Sequence, residues 1–266
     1  MNKSSLIKHD LLVIDVGNTN IQFAVISSNG IVKRWRLSTQ SERTADEYTL
    51  NIISNFLQEE EIAKIKEVII CSVVPSVVYE LKQFIKNIFK ISSKVVGEDI
   101  HPGIRILTER PEEVGSDRLV NSLATYKIYG GNKIVVDFGT ATTFDVVQQD
   151  GSYAGGVIAP GIQLSLDALD KATARLPRIA VKKPSLVVGT NTVSAMQSGI
   201  YWGYIGLLKG IISEIRNERK SDMKVVATGG LASLFSKDSN LIDIVDLDLT
   251  IKGIALASNH SLNVFK

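Results

Sequence analysis

The sequence predicts an α/β protein of two duplicated domains, each a mixed sheet flanked by helices. Strand-like apolar runs alternate with amphipathic helical segments along the whole chain. A stretch near the N-terminus, "LLVIDVGNTNIQFAVISSNG", also returns in the second half as "KIVVDFGTATTFDVVQQDG". Asp15 maps onto Asp137, Gly17 onto Gly139, and the hairpin glycine Gly30 onto Gly151 within one residue. Repeats of this length read as a duplicated domain rather than a solenoid. The expected division is residues 1–129 and 130–266.

The elements follow in order. Leu11 to Ile26 reads as two buried strands joined by a tight polar turn, and "IVKRWRLST" alternates as a half-exposed third strand after the hairpin signal Asn29-Gly30. "TADEYTLNIISNFLQEE" opens with a Thr44 to Glu47 capping-box pattern and reads as one helix. A buried strand "KEVIICSVV" and a second helix "SVVYELKQFIKNIFK" come next. Residues 92–116 carry Gly, Pro and charge, which suits a connector with one short strand. A helix from about Asp117 to Tyr129 then ends at Gly130-Gly131.

The second half repeats the strand pair and lengthens the helices. "AGGVIAPGI" is a strand entering a Pro-Gly turn, and "QLSLDALDKATARL" is a helix. Thr192 to about Arg219 forms a long helix capped by Asn191. "MKVVATGGLASLF" is a strand, glycine turn and short helix, and "LTIKGIALASNHS" closes the chain as a helix. Gly199, Gly203, Gly206 and Gly210 recur on one seam of the long helix, each costing up to ~1 kcal/mol of helix propensity against Ala. Another backbone must come close there, either the chain's own sheet or a second subunit.

Composition narrows the function. Thirty Lys and Arg against 28 Asp and Glu give a net charge of +2, which does not fit a nucleic-acid binder. The only cysteine, Cys71, lies in the apolar stretch "VIICSVV" and reads as core. No apolar run approaches the ~20 residues that cross a bilayer, and the first ten residues lack the apolar region of a signal peptide. A cytoplasmic protein with no membrane partner is expected.

Three segments place a glycine turn at the end of a buried strand: Asp15 to Thr19, Asp137 to Thr143, and Thr228-Gly229-Gly230. Glycine lets backbone amides approach an anion, and neighbouring hydroxyls add donors. An aspartate at the strand end repels phosphate unless a cation lies between, so the pattern suits cation-bridged phosphate binding. An ordinary β-hairpin with Asp bonded to local amides is the simpler reading of one such turn. Two copies in register and a third glycine turn favour phosphate. The Walker and dinucleotide glycine motifs are absent, and His9, His101 and His260 are isolated. At "GSDR", Gly115 to Arg118, a loop enters a helix whose free amides suit an anionic group. There Asp117 could accept a hydroxyl proton and Arg118 could grip a carboxylate, or the pair could simply cap the helix and meet Glu112 or Glu113.

In combination these motifs resemble the type III pantothenate kinases, of the acetate and sugar kinase, Hsp70 and actin superfamily. The pieces are "DVGNTN", "CSVVP", "PEEVGSDR", "VVDFGTATTFDVV", "GGVIAPGI", "NTVSAMQSGIYWGY" and "ATGGLA", in order over nearly the whole chain. The resemblance implies two ribonuclease H-like, actin-like ATPase domains with an interdomain cleft, and phosphorylation of pantothenate to 4'-phosphopantothenate by ATP, the first step of coenzyme A biosynthesis. It implies a phosphate loop of Asp15, Val16, Gly17, Asn18, Thr19, Asn20, Ile21 and Gln22, with Thr140 also on ATP and the third glycine turn on the adenosine side. Asp117 is implied as general base, Gly115, Ser116, Asp117 and Arg118 as holding pantothenate, and Thr192 as reaching it across a homodimer interface. Asp137 is implied to bind a monovalent cation, potassium or ammonium, beside ATP with Mg²⁺. Thr108 stands where many members have a tyrosine, which puts one substrate contact in question. Another small-molecule kinase of the superfamily, or a non-catalytic nucleotide-binding regulator, are the alternatives.

Overall fold

The structure is a computed structural model, described over residues 10–172, 177, 179–237 and 240–258. Among these residues the first sheet contains β1 (Asp10–Val16), β2 (Asn20–Ser27), β3 (Gly30–Ser38), β4 (Ile65–Ser72) and β5 (Lys94–Val95), in the order β3-β2-β1-β4-β5. The second contains β6 (Lys133–Phe138), β7 (Ala141–Val147), β8 (Tyr153–Pro160), β9 (Lys224–Gly229) and β10 (Ile244–Val245), in the order β10-β9-β6-β7-β8. β1 and β6 play the same part: each pairs antiparallel with the strand after it and parallel with a later one. The duplication therefore extends beyond the glycine motifs to the whole sheet, and β4 is the counterpart of β9.

The one-residue slip between the repeats lies in the first turn. Asp15 stands opposite Gln22, whereas Asp137 stands opposite Thr143, so the first hairpin is one residue longer between aspartate and partner. Gly30 and Gly151, at φ of 100° and 87°, end the two hairpins in the left-handed region that a side chain would strain.

The described residues form two compact units, one of 10–105, 109–129 and 248–258, the other of 106–108 and 130–247. In the first, Leu12, Ile14, Val16 and Phe23 face α1 (Ala45–Asn55) and α3 (Pro75–Phe89) through Tyr48, Ile52, Leu81 and Phe84. The other face carries Leu11, Val13, Ile69 and Cys71 against α4 (Ser116–Tyr129) and α8 (Leu249–Ala257). Ile251, Ile254 and Ala255 bury themselves there, so the closing helix completes the first unit, against the expected division that keeps 130–266 together. Residues 106–108 join the other unit because Ile106 bridges Tyr153 and the Leu107 amide donates to the Tyr153 carbonyl at 2.9 Å.

The helix expected after Thr44 is two. α1 ends where Leu57 turns into the core, and α2 (Glu59–Lys64) restarts with the Gln58 amide on Glu61 at 2.9 Å. In the second unit α5 (Ile162–Ala172), α6 (Thr192–Arg219) and α7 (Ala232–Ser236) cover one sheet face, with Tyr201, Tyr204, Leu208 and Phe235 against Ile134, Val136 and Phe144. The end of the helix expected through residue 176 lies outside the described residues. Among the described residues no helix is long and apolar enough to cross a membrane.

Candidate active site

Alternation along β1 decides where Asp15 points. Leu12, Ile14 and Val16 fill one core, Leu11 and Val13 the other, and Asp15 is next in the Leu11–Val13 row, on the α4 side at the strand end. The turn beyond it closes when the Gly17 amide donates to the Asn20 carbonyl at 3.0 Å. Thr39, just after β3, pins it twice: its amide donates to the Thr19 carbonyl at 2.9 Å and its hydroxyl to the Gly17 carbonyl at 2.6 Å. Asn18 and Thr19 are exposed at the tip, Asn20 opens β2, and Gln22 is the half-buried partner of Asp15. Val16 and Ile21 are buried, so in this segment they have backbone alone to offer a ligand.

The parallel pairing of β1 with β4 sets Cys71 beside Asp15. The Cys71 thiol donates to Ser116 Oγ at 3.3 Å, and that hydroxyl donates to the Ser72 carbonyl at 3.1 Å. This relay fastens the start of α4 over the ends of β1 and β4. Asp117 is the next residue, partly buried, and its Oδ1 accepts the Arg118 amide at 2.7 Å. Burial raises the Asp117 pKa above the usual carboxylate value, and the Arg118 amide and guanidinium offset part of the rise. Cys71 senses both acids: burial first, then the Asp15 carboxylate, push its thiol well above the ordinary range, and Asp117 adds to this while the Ser116 bond opposes it. One unit thus brings Asp15, Ser116, Asp117 and Arg118 together around a buried, unreactive thiol. Thr39 was not legible as part of the site, since nothing in its spacing marks it.

The second unit repeats the plan with different chemistry. Asp137 ends a row of β6 with Thr143 of β7 and Thr228 of β9 as its in-register neighbours, so Thr228 stands where the first unit has Cys71. The Gly139 amide donates to the Ala141 carbonyl at 3.0 Å and leaves Thr140 exposed at the tip. Two glycines back this turn. A β-carbon on Gly161 would fall 2.1 Å from the Thr140 carbonyl oxygen, and one on Gly229, at φ 87°, would fall 2.7 Å from Asp137 Oδ1. Asp145, two residues beyond Thr143 and fully buried, accepts the Thr143 hydroxyl at 3.1 Å and the Tyr153 hydroxyl at 2.9 Å. A buried acid between the apolar Phe144 and Val146 stands out in "TTFDVV" and is a further polar residue beside this turn. Thr192 is exposed at the first turn of α6, whose N-cap Asn191 accepts the Ser194 amide at 2.9 Å.

A family model for type III pantothenate kinases matches residues 11–214. The chain belongs to the type III pantothenate kinase family. It is 52% identical over 247 residues to the type III pantothenate kinase of Paramagnetospirillum magneticum, covering 92% of this chain and 95% of that one. With the type III pantothenate kinase of Cereibacter sphaeroides it shares 49% over 253 residues, 94% and 98% of the two chains. Two solved structures share the fold: a Campylobacter jejuni protein described as a Baf family transcriptional activator, and a Sinorhizobium meliloti protein described as a 2-dehydro-3-deoxygalactonokinase. The first superposes with a TM-score of 0.59 at 21% identity, covering 93% of this chain and 97% of that one. The second gives 0.57 at 14%, covering 95% and 97%. A type III pantothenate kinase transfers a phosphoryl group from ATP to pantothenate in coenzyme A biosynthesis, and the chain is an enzyme of that class.

Proposed function

We propose that this pantothenate kinase uses Asp117 as its general base, with the Asp15 turn holding the phosphates of ATP. The observation that carries the reading is the gathering of Asp15 and Asp117 about Cys71 in one unit, with burial making Asp117 the better base. Phosphoryl transfer needs chiefly alignment and neutralised charge. The Gly17 to Thr19 turn offers amides and hydroxyls to the phosphates, and Asp117 takes the proton of the primary hydroxyl as the new P–O bond forms. Gly115 and Ser116 shape the substrate side, and Arg118 faces the pantothenate carboxylate. Asp15 would hold a Mg²⁺ ion carried with the nucleotide, since this ion is bound through one or two carboxylates plus phosphates, and the ion would supply neutralising charge to those phosphates.

On the second turn Thr140 contacts ATP and Asp137 holds a monovalent cation, potassium or ammonium. The fit rests on its donors: one carboxylate with the neutral oxygens of Thr143 and Thr228 beside it balances a single positive charge. The enzyme works as a homodimer in which Thr192 reaches the pantothenate of the partner subunit. What supports this is the seam of Gly199, Gly203, Gly206 and Gly210, where among the described residues a β-carbon would meet nothing within 4 Å beyond its own turn of helix. We assign the reaction to the cytoplasm, with its lone Cys71 reduced. The test is ADP release on mixing the protein with ATP, Mg²⁺ and pantothenate, with potassium or choline as the salt. Release that depends on pantothenate and rises with potassium supports the reading; release indifferent to pantothenate sinks it.

A further inference from the structure

Asp145 has no part in the scheme above, yet it is a fully buried carboxylate that accepts hydrogen bonds from two hydroxyls within one sheet. We propose that Thr143 is an oxygen ligand of the cation held by Asp137 and that Asp145 is the positioning residue that turns the Thr143 hydroxyl toward it. The inference rests on the reading of Asp137 as a monovalent-cation site.

Thr143 and Asp137 are directly paired across β6 and β7, which puts their side chains on one sheet face with β-carbons roughly 5 Å apart. Thr143 is half-buried, so an ion at Asp137 can reach it. A threonine hydroxyl has one hydrogen and two lone pairs, and an unconstrained one could present either to its neighbour. Its hydrogen is committed here to Asp145 Oδ2 at 3.1 Å, which leaves lone pairs for a cation. Asp145 lies two residues further along β7, on the same face, and is held in turn by the Tyr153 hydroxyl on its other oxygen at 2.9 Å. Outer partners of this kind are worth about 10- to 100-fold in metal affinity or activity where they have been removed. In the other hairpin the residue facing Asp15 is Gln22, so the hydroxyl–carboxylate pair is a distinction between the copies.

A purely structural role is the competing explanation, since the Tyr153–Asp145 bond ties β8 to β7 at an irregular step in their pairing, between Asp145 and Val147. Two measurements on the full chain separate the two. One is the rise in Tm on replacing choline chloride by potassium chloride at constant ionic strength, without nucleotide. The other is the potassium concentration giving half-maximal turnover. Asp145→Asn and Thr143→Val are expected to abolish most of the potassium-dependent Tm rise and to raise the half-activating concentration about tenfold or more. Thr143→Ser, which keeps the hydroxyl, is expected to match the parent. Tyr153→Phe, which loosens Asp145 but spares the Thr143 bond, is expected to lower Tm in either salt and leave the potassium midpoint within about twofold. Midpoints unchanged in Asp145→Asn and Thr143→Val alike, with only Tm lowered, overturn the proposal. So does a shift in Tyr153→Phe as large as that in Asp145→Asn, because general loosening would then explain both. A parent enzyme that phosphorylates pantothenate with no response to potassium in either measurement removes the Asp137 cation site and this inference with it, while leaving the kinase reading intact.

Discussion

Asp117 Oδ1 lies 2.6 Å from where a β-carbon on Gly115 would sit, so residue 115 is glycine because the carboxylate fills the space a side chain would need. The atom in the way is the end of a side chain, which can swing aside at little cost to the fold. Gly115→Ala should therefore leave Tm within a few degrees of the parent and move the base. A displacement of about 1 Å at a reacting group can cost roughly 100-fold, and kcat is expected to fall by about that much. Turnover in Gly115→Ala within a factor of three of the parent would show that Asp117 is not held where this geometry puts it.

Asp117→Asn separates the base from its surroundings. Loss of a positioned base should lower kcat by about 100- to 10,000-fold with little change in pantothenate KM. Stability should move the other way. The folded pKa of Asp117 is raised by burial, so folding is favoured by the protonated form, and that advantage is full below the unfolded carboxylate pKa and lost as pH rises through the folded one. Asparagine, which never ionises, should raise Tm at neutral pH and give no gain at pH values below the ordinary carboxylate range. The parent's rate at low pH should climb over a limb displaced upward from that range. A variant Tm lower than the parent's at neutral pH would mean that the carboxylate is stabilised in the fold, contrary to the burial argument.

The sequence made the hairpins, the repeat and the limits of α6 legible, because alternation, Asn29-Gly30 and the Asn191 cap are local signals. Asp15 and Asp137 stand out because each breaks an apolar run near the end of a buried strand, and Ser116 to Arg118 because they open a helix after a charged loop. What stayed hidden was non-local. The break at Leu57 depends on a core that only the assembled sheet supplies, and the membership of α8 in the first unit depends on which apolar face is left open after α4 docks. The fit of Gly115 to Asp117 and the Thr39 clamp on the first turn are contacts that no spacing rule encodes. Thr228 as the counterpart of Cys71 emerges only from register, since neither residue lies in the repeated motif.

Gly161 offers the opposite case to Gly115. Its absent β-carbon would collide with backbone, the Thr140 carbonyl at 2.1 Å and the Gly139 carbonyl at 2.7 Å, and backbone cannot rotate out of the way. Its own carbonyl is occupied by the Ser165 amide and hydroxyl, both at 3.0 Å, which fixes it against the turn. Gly161→Ala should cost about 1–3 kcal/mol of stability as an overpacked site and raise the KM for ATP, because the Thr140 turn must shift to make room. Urea titration gives the first quantity and initial rates the second; an alanine variant as stable as the parent would require the two segments to be further apart than they are here.

The seam on α6 yields a prediction in which helix propensity and assembly pull in opposite directions. Gly206 and Gly210 border a groove lined by Val157, Leu207, Ile211 and Ile215, with Glu214 and Glu218 at its edge. Trp202, Val157 and Ile158 lie exposed on the same unit, and at Gly206 a β-carbon would meet nothing within 4 Å outside its own turn of helix among the described residues. For an isolated subunit Gly206→Ala is therefore a gain, worth up to about 1 kcal/mol of helix propensity. If two helices meet along the seam, the same methyl group sits where the partner's backbone must come, and a larger side chain is worse. Gly206→Ala should thus raise Tm at protein concentrations low enough to dissociate the dimer and weaken the dimer itself. Gly206→Leu should sediment as a monomer and, if Thr192 serves the partner's substrate as proposed, lose pantothenate turnover. Sedimentation velocity decides it: a Gly206→Leu protein that stays dimeric takes the seam out of the interface, whatever its activity.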